Sequence, residues 1–169
     1  MTDLKSASPS SCAHAATASE SRFRIQRPIA PSRAARIVAL DAGAAEVVAR
    51  AAALQWAHAQ FYVCESTGYQ ESPLLRDIDG RPHSLADELV SASVLVMVAT
   101  TDVGADCAYV LGKACTERGI QTAGLVLGSG TDEGTAASAA VAALRPYARV
   151  LLSSANDFDV VDLLTALRV

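Results

Sequence analysis

The stretch from Ser93 to Gly128 constrains this chain more than any other. SVLVMVA is a continuous apolar run of strand length, TTDVGAD is a short polar link, CAYVLGKACTERGIQ has the spacing of a helix, and TAGLVLG is a second apolar run. Unbroken Val/Leu runs suit strands buried on both faces rather than strands with one wet side. A helix between two such strands is the crossover that joins parallel neighbours. A chain built around this unit is committed to a helix-covered parallel sheet.

The flanking sequence repeats the rhythm. Ile37–Leu40 is an apolar run that stops at Asp41-Ala42-Gly43, and Ala44–Trp56 follows as an Ala-rich helix. Phe61–Cys64 is a second strand, and Ser84 opens SLAD, a serine-to-acid capping pattern for a helix through Val90. Beyond the central unit, Gly128–Thr135 is a glycine-rich loop, and a helix runs from about Asp132 or Thr135 to Tyr147. Val150–Leu152 is the last strand. Asn156 or Asp157 then caps a helix over Phe158–Leu167, with Val160, Val161, Leu163, Leu164 and Leu167 at helical spacing. Five strands alternating with five helices predict an α/β fold: a three-layer, Rossmann-like, doubly wound, mainly parallel five-stranded sheet.

Two segments depart from this pattern. Glu65–Pro82 carries Gly68, Pro73, Gly80 and Pro82, with Leu74, Leu75 and Ile78 as its apolar anchors. A segment of that length reads as a lid, an interface element or a small hairpin. At the start of the chain, residues 1–35 form an Ala/Ser/Arg-rich arm, expected to be disordered or docked on a partner, and the domain proper spans 36–169. Phe23-Arg24-Ile25-Gln26 alternates apolar and polar and suits an added edge strand, closed off by Pro28 and Pro31.

Charge separates the arm from the body. Residues 1–36 hold six basic and two acidic side chains, whereas residues 37–169 hold eight basic and sixteen acidic ones. The acidic body argues against nucleic acid, and the basic arm points to a second copy or a protein partner. No apolar run approaches the roughly 18–20 residues of a membrane span. The four cysteines, Cys12, Cys64, Cys107 and Cys115, show no metal or disulfide spacing, which reads as reduced thiols in a cytoplasmic protein.

In a doubly wound sheet ligands bind beyond the carboxyl ends of the strands. Any site therefore falls in Asp41–Ala44, Cys64–Thr67, Thr100–Asp106, Gly128–Thr135 and Ser153–Asp157. The contact groups these loops offer are Asp41, Gly43, Thr100, Thr101, Asp102, Gly128, Ser129, Gly130 and Thr131. Asp41-Ala42-Gly43-Ala44-Ala45-Glu46 lacks the glycines of a dinucleotide fingerprint, and there is no GxxxxGK[ST] phosphate loop. Thr101 or Asp102 is also placed to cap the helix that follows, with Asp106 in its first turn. GSGTDEGT is equally an anion or hydroxyl cradle and a plain connection.

Ser153-Ser154-Ala155-Asn156 stands where a phospho-acceptor receiver site needs a lysine, which argues against that reading. No histidine pairs with a strand-end serine or cysteine. His83, beside Pro82, is the one histidine placed to line the Glu65–Pro82 segment, and Cys64 is the one thiol near the strand ends. No metal set is legible, and no cofactor is identified.

From Ser84 to Asn156 the order LADELVSASVLVMVAT, helix, GIQTAGLVLG, helix, ALRPYARVLLSSAND resembles the nucleotide-binding half of the tubulin-like bacterial division GTPases. The resemblance implies a nucleotide-binding Rossmann-like fold. That family's glycine-rich phosphate loop is replaced here by TTDVGAD, and the chain is too short for the family's second domain. The likeness therefore extends to the fold and not to GTP hydrolysis. Two functions stay open: a non-catalytic or accessory module acting by self-association or docking on a larger enzyme, and a small-molecule or nucleotide binder or enzyme using the strand-end loops.

Overall fold

The computed structural model describes residues 31–65, 73–128, 137–154 and 156–169. The expected edge strand Phe23–Gln26, and Ser129, Gly130 and Thr131 of the glycine-rich loop, lie outside them. Pro31–Val169 forms one compact unit.

The described elements are β1 (Ala35–Ala39), α1 (Ala42–Ala52), β2 (Ala59–Glu65), β3 (Leu74–Asp77), β4 (Pro82–Ser84), α2 (Leu85–Val90) and β5 (Val94–Ala99). A single 3₁₀ turn (Asp102–Gly104) leads into α3 (Ala105–Glu117), followed by β6 (Gln121–Leu127), α4 (Ser138–Leu144), β7 (Val150–Ser154) and α5 (Asp159–Ala166). The strands lie in one sheet in the order β4-β3-β2-β1-β5-β6-β7. Neighbours from β2 through β7 are parallel, while β3 is antiparallel to both β2 and β4. From β1 the chain steps outward to β2 on one side, and from β5 it steps outward to β6 and β7 on the other. The strand order therefore reverses between β1 and β5, the crevice position of a doubly wound sheet.

Alternation along each central strand divides the apolar side chains between two helical layers. Ile37, Val96 and Leu125 pack with α1 and α5, through Val47, Val48, Val160 and Leu164. Val38, Leu95 and Met97 pack on the opposite face with α2, α3 and α4, through Leu89, Leu111 and Leu144. This is the expected three-layer, doubly wound arrangement.

The sheet has seven strands, not the five expected. The two extra strands, β3 within Glu65–Pro82 and β4 starting at its last residue, form a hairpin on the outer side of β2. Asp77 Oδ1 closes its loop by accepting from the amides of Asp79 and Arg81, and Gly80 adopts φ +80 there. Asp79-Gly80 is the dipeptide that favours such turns, so the hairpin had a legible signal. The strands beside it are only four and three residues long, too short to show alternation. A second correction concerns α2: Ser84 stands at its N-cap but its hydroxyl accepts no capping hydrogen bond.

Gly104 sits where the loop after β5 presses on the end of β1. A Cβ there would overlap the Leu40 Cβ and, against backbone that cannot yield, the Leu40 carbonyl. Gly104→Ala should cost about 3 kcal/mol, the upper end of overpacking penalties. Gly80→Ser, with open space but positive φ, should cost about 1 kcal/mol. Urea denaturation of the two variants compares them directly.

Candidate functional site

The candidate site lies where the strand order reverses, between the carboxyl ends of β1 and β5. Asp41 follows β1 directly, with extended backbone, and caps α1: its Oδ1 accepts from the Ala44 amide at 2.9 Å. The same oxygen accepts from Thr100 Oγ1 at 2.5 Å. Oδ2 accepts from the Thr100 amide at 2.7 Å and the Thr101 amide at 3.0 Å. One carboxylate thus ties the start of α1 to the end of β5 across the crevice. Burial opposes its ionisation, yet the hydrogen bonds from Thr100 Oγ1 and the three amides outweigh it and hold the carboxyl below its ordinary value. Asp41 is only 8 % exposed.

Gly43 completes the closure. It lies so near Thr100 that a Cβ would overlap the Thr100 hydroxyl now bonded to Asp41. Three of the predicted contact groups, Asp41, Gly43 and Thr100, therefore meet, and they bond or pack with each other. In a doubly wound sheet this is where a ligand's anionic group meets helix amides. Here the chain's own carboxylate takes that place.

The remaining predicted groups divide. Thr101 is exposed, and its amide is bonded to Asp41. Neither Thr101 nor Asp102 caps α3, whose N-cap is Gly104 with no side-chain bond. Asp102 instead reaches across to α4, where its Oδ1 accepts from the Ala140 amide at 3.0 Å. Gly128 directly follows β6 and donates its amide to the Ser154 carbonyl at 2.8 Å. Cys64 is buried with Cys107 against it. Their hydrogen bond, with burial, pushes the Cys64 thiol far above its usual value, so it is not a ready nucleophile.

A second polar cluster, only partly anticipated, sits under the hairpin. His83 on β4 is bracketed by Asp77 Oδ2, 3.1 Å from Nε2, and Glu88 Oε1, 3.0 Å from Nδ1. Glu88 also accepts from Arg36 Nε at 2.9 Å, and Arg36 Nη2 donates to Ser91 Oγ at 2.7 Å. Tyr62 meets the His83 ring edge-on, with centroids 5.4 Å apart. The hydrogen bond to Asp77 leads the effects that raise the His83 pKa, against desolvation, which lowers it. When protonated, the imidazole donates from both ring nitrogens at once, to Asp77 on β3 and Glu88 on α2, and so ties these elements to β4.

Three grooves lined by described residues lie elsewhere. One of about 320 Å³ runs beside this cluster, past Trp56, Gln60 and Ile78. One of about 450 Å³ separates α1 from α5, lined by Val47, Ala51, Leu54, Phe158 and Val161 and rimmed by the Arg50–Asp157 ion pair. The third, about 380 Å³, lies near the amino ends of the parallel strands with Arg33 and Arg118 on its walls. None of the three is lined by Asp41, Thr100, Thr101, Asp102 or Gly128. Among the described residues no His/Cys/Asp/Glu group has the geometry to hold a metal ion, and no buried side-chain polar atom lacks a partner. No described helix is long and apolar enough to cross a membrane.

Asp41→Ala removes a helix cap and strands the donors of Thr100 and Thr101, so it should cost about 2–4 kcal/mol by chemical denaturation. Asp102→Ala, which removes one cap bond to α4, should cost about 1 kcal/mol. The pH dependence of His83 has a definite sign. Its folded pKa lies above the ordinary 6.5, so its contribution is complete below 6.5 and is lost as pH rises through the folded value. Urea midpoints of the parent and His83→Gln should differ most in mild acid and converge above neutrality. A gap that widens with pH contradicts this assignment.

Comparison with family models, with curated proteins and with solved structures finds no match to this chain.

Proposed function

We propose that this chain is a non-catalytic or accessory α/β module that works by association, with copies of itself or docked on a larger enzyme. One observation carries this reading: Asp41 fills the crevice that a doubly wound sheet ordinarily offers to a ligand, and four donors of the chain itself occupy its oxygens. A phosphate or carboxylate entering there would meet a buried negative charge and would have to displace well-formed hydrogen bonds. Apolar groups do reach the surface elsewhere. Phe158 is 75 % exposed and Leu54 50 % exposed at the groove between α1 and α5, a surface suited to contact with another protein.

A thermal-shift panel of nucleotides, sugars and acyl cofactors tests the proposal. A ligand at a hundred times its dissociation constant adds ~2.7 kcal/mol of stability, a shift such a panel detects readily. No member of the panel is expected to produce one. A shift that Asp102→Ala or Thr101→Ala abolishes would overturn the proposal in favour of a strand-end ligand site.

A further inference from the structure

β7 is an edge strand of the described sheet, and its sequence, Val150-Leu151-Leu152-Ser153-Ser154, has neither a charge nor a proline. Sheet edges are ordinarily guarded, because their unpaired amides and carbonyls template another strand. The opposite edge, β4, is guarded: it is three residues long and starts with Pro82. β7 also carries apolar groups outward. Leu151 packs on the α4 face near Gly124, while Val150 and Leu152, on the other face, are each 40 % exposed.

We infer that β7 is the self-association edge: two copies of this chain pair their β7 strands antiparallel about a two-fold axis into one continuous sheet. This inference rests on the association reading above and names the surface and the partner.

Hydrogen-bond parity selects the register. The Ser154 carbonyl bonds inward to the Gly128 amide. Alternate residues of a parallel ladder share that direction, so Leu152 bonds inward too, and Leu151 and Ser153 turn their amides and carbonyls to the open edge. In a two-fold antiparallel pair centred on Leu152, Leu151 of one copy faces Ser153 of the other, twice, and each pair exchanges two hydrogen bonds. Leu152 then faces its own copy as a non-hydrogen-bonded pair, the geometry that brings side chains closest. The two most exposed apolar positions of the strand are covered in one step.

Charge selects the orientation. Arg149 immediately precedes β7, and Asp157 and Asp159 follow it closely. Antiparallel pairing sets the cation of each copy beside the acids of the other. Parallel pairing would set like charges together on a body that already carries sixteen acidic against eight basic groups. Arg149 makes no ion pair among the described residues, whereas Asp157 is held by Arg50 and Asp159 by the Ser154 hydroxyl. The two-fold arrangement gives that arginine its partners.

Sedimentation equilibrium of the full chain over a concentration series, with far-ultraviolet circular dichroism to confirm folding, tests this inference. The parent chain should reach the mass of a dimer. Leu152→Lys sets two ammonium groups face to face, and Ser153→Pro removes an edge donor without touching the inward ladder. Each should weaken the dimer at least tenfold while leaving the folded signal intact. Arg149→Glu should weaken it less, and added salt should erase that difference. A dimer that persists in both Leu152→Lys and Ser153→Pro overturns the β7 assignment and leaves association through another face. A parent chain that stays monomeric at every concentration also overturns it. In that case hydrogen exchange at Leu151 and Ser153 tells an edge covered by the chain's own residues, which exchanges slowly, from a bare one. Failure of the broader reading is registered separately, by a bound ligand in the thermal-shift panel.

Discussion

Four donors converging on one buried carboxylate hold the centre of this molecule together. Asp41 begins α1, receives the end of β5, and keeps those two elements close enough that Gly43 and Gly104 have no room for a side chain. The arrangement is stable because each acceptor oxygen receives two donors, so the cost of burying a charge is offset within a few ångströms. The helix dipole acts in the same sense, since a negative group at the start of α1 meets the positive end of the peptide array. These are the interactions that hold phosphate groups in dinucleotide-binding sheets, directed here toward the protein's own side chain. The functional proposal is built on that substitution.

The hairpin beside β2 is tied in by a different logic. Arg36, Glu88, His83 and Asp77 alternate in charge from β1 through α2 and β4 to β3. Arg36 lies at the start of the central strand and is nearly inaccessible, so its guanidinium would be costly without Glu88 and Ser91. The chain of ion pairs anchors two short strands that lack the apolar area to hold themselves, and it makes their attachment depend on one titrating imidazole. Among the described residues the sheet therefore has one edge that is short, proline-bearing and pinned, and another, β7, that is without a charge or a proline. That asymmetry points the association argument toward β7.

Much of the fold was legible in the residues. The Val/Leu runs at Ile37–Leu40, Ser93–Ala99 and Thr122–Leu127 predicted buried parallel strands because a strand covered on both faces has no polar side to show. The carboxyl ends of these three strands lie at one rim because the strands run parallel. Within the site, Asp41, Gly43 and Thr100 were read as contact groups from their places at the strand ends, and the structure bonds or packs them with one another. Capping was expected of Thr101 or Asp102 toward α3. The bonds run instead from Asp41 to its own α1 and across to β5, and from Asp102 across to α4. Such bonds join residues as far apart as Asp41 and Thr101, and a local pattern carries no record of them.

What the sequence determined by itself was the alternation of buried strands and covering helices, because periodicity and side-chain chemistry are local properties of the chain. It also set the charge contrast between the first thirty-six residues and the rest, and the absence of phosphate-loop and dinucleotide motifs. Only the tertiary structure decided that the sheet continues into an antiparallel hairpin, that β7 is at an edge of the described sheet, and that Asp41, Thr100 and Thr101 are bonded to one another. Each of those depends on which elements become neighbours. Neighbourhood in a doubly wound sheet follows from packing between residues far apart in the chain, beyond the reach of any window along it.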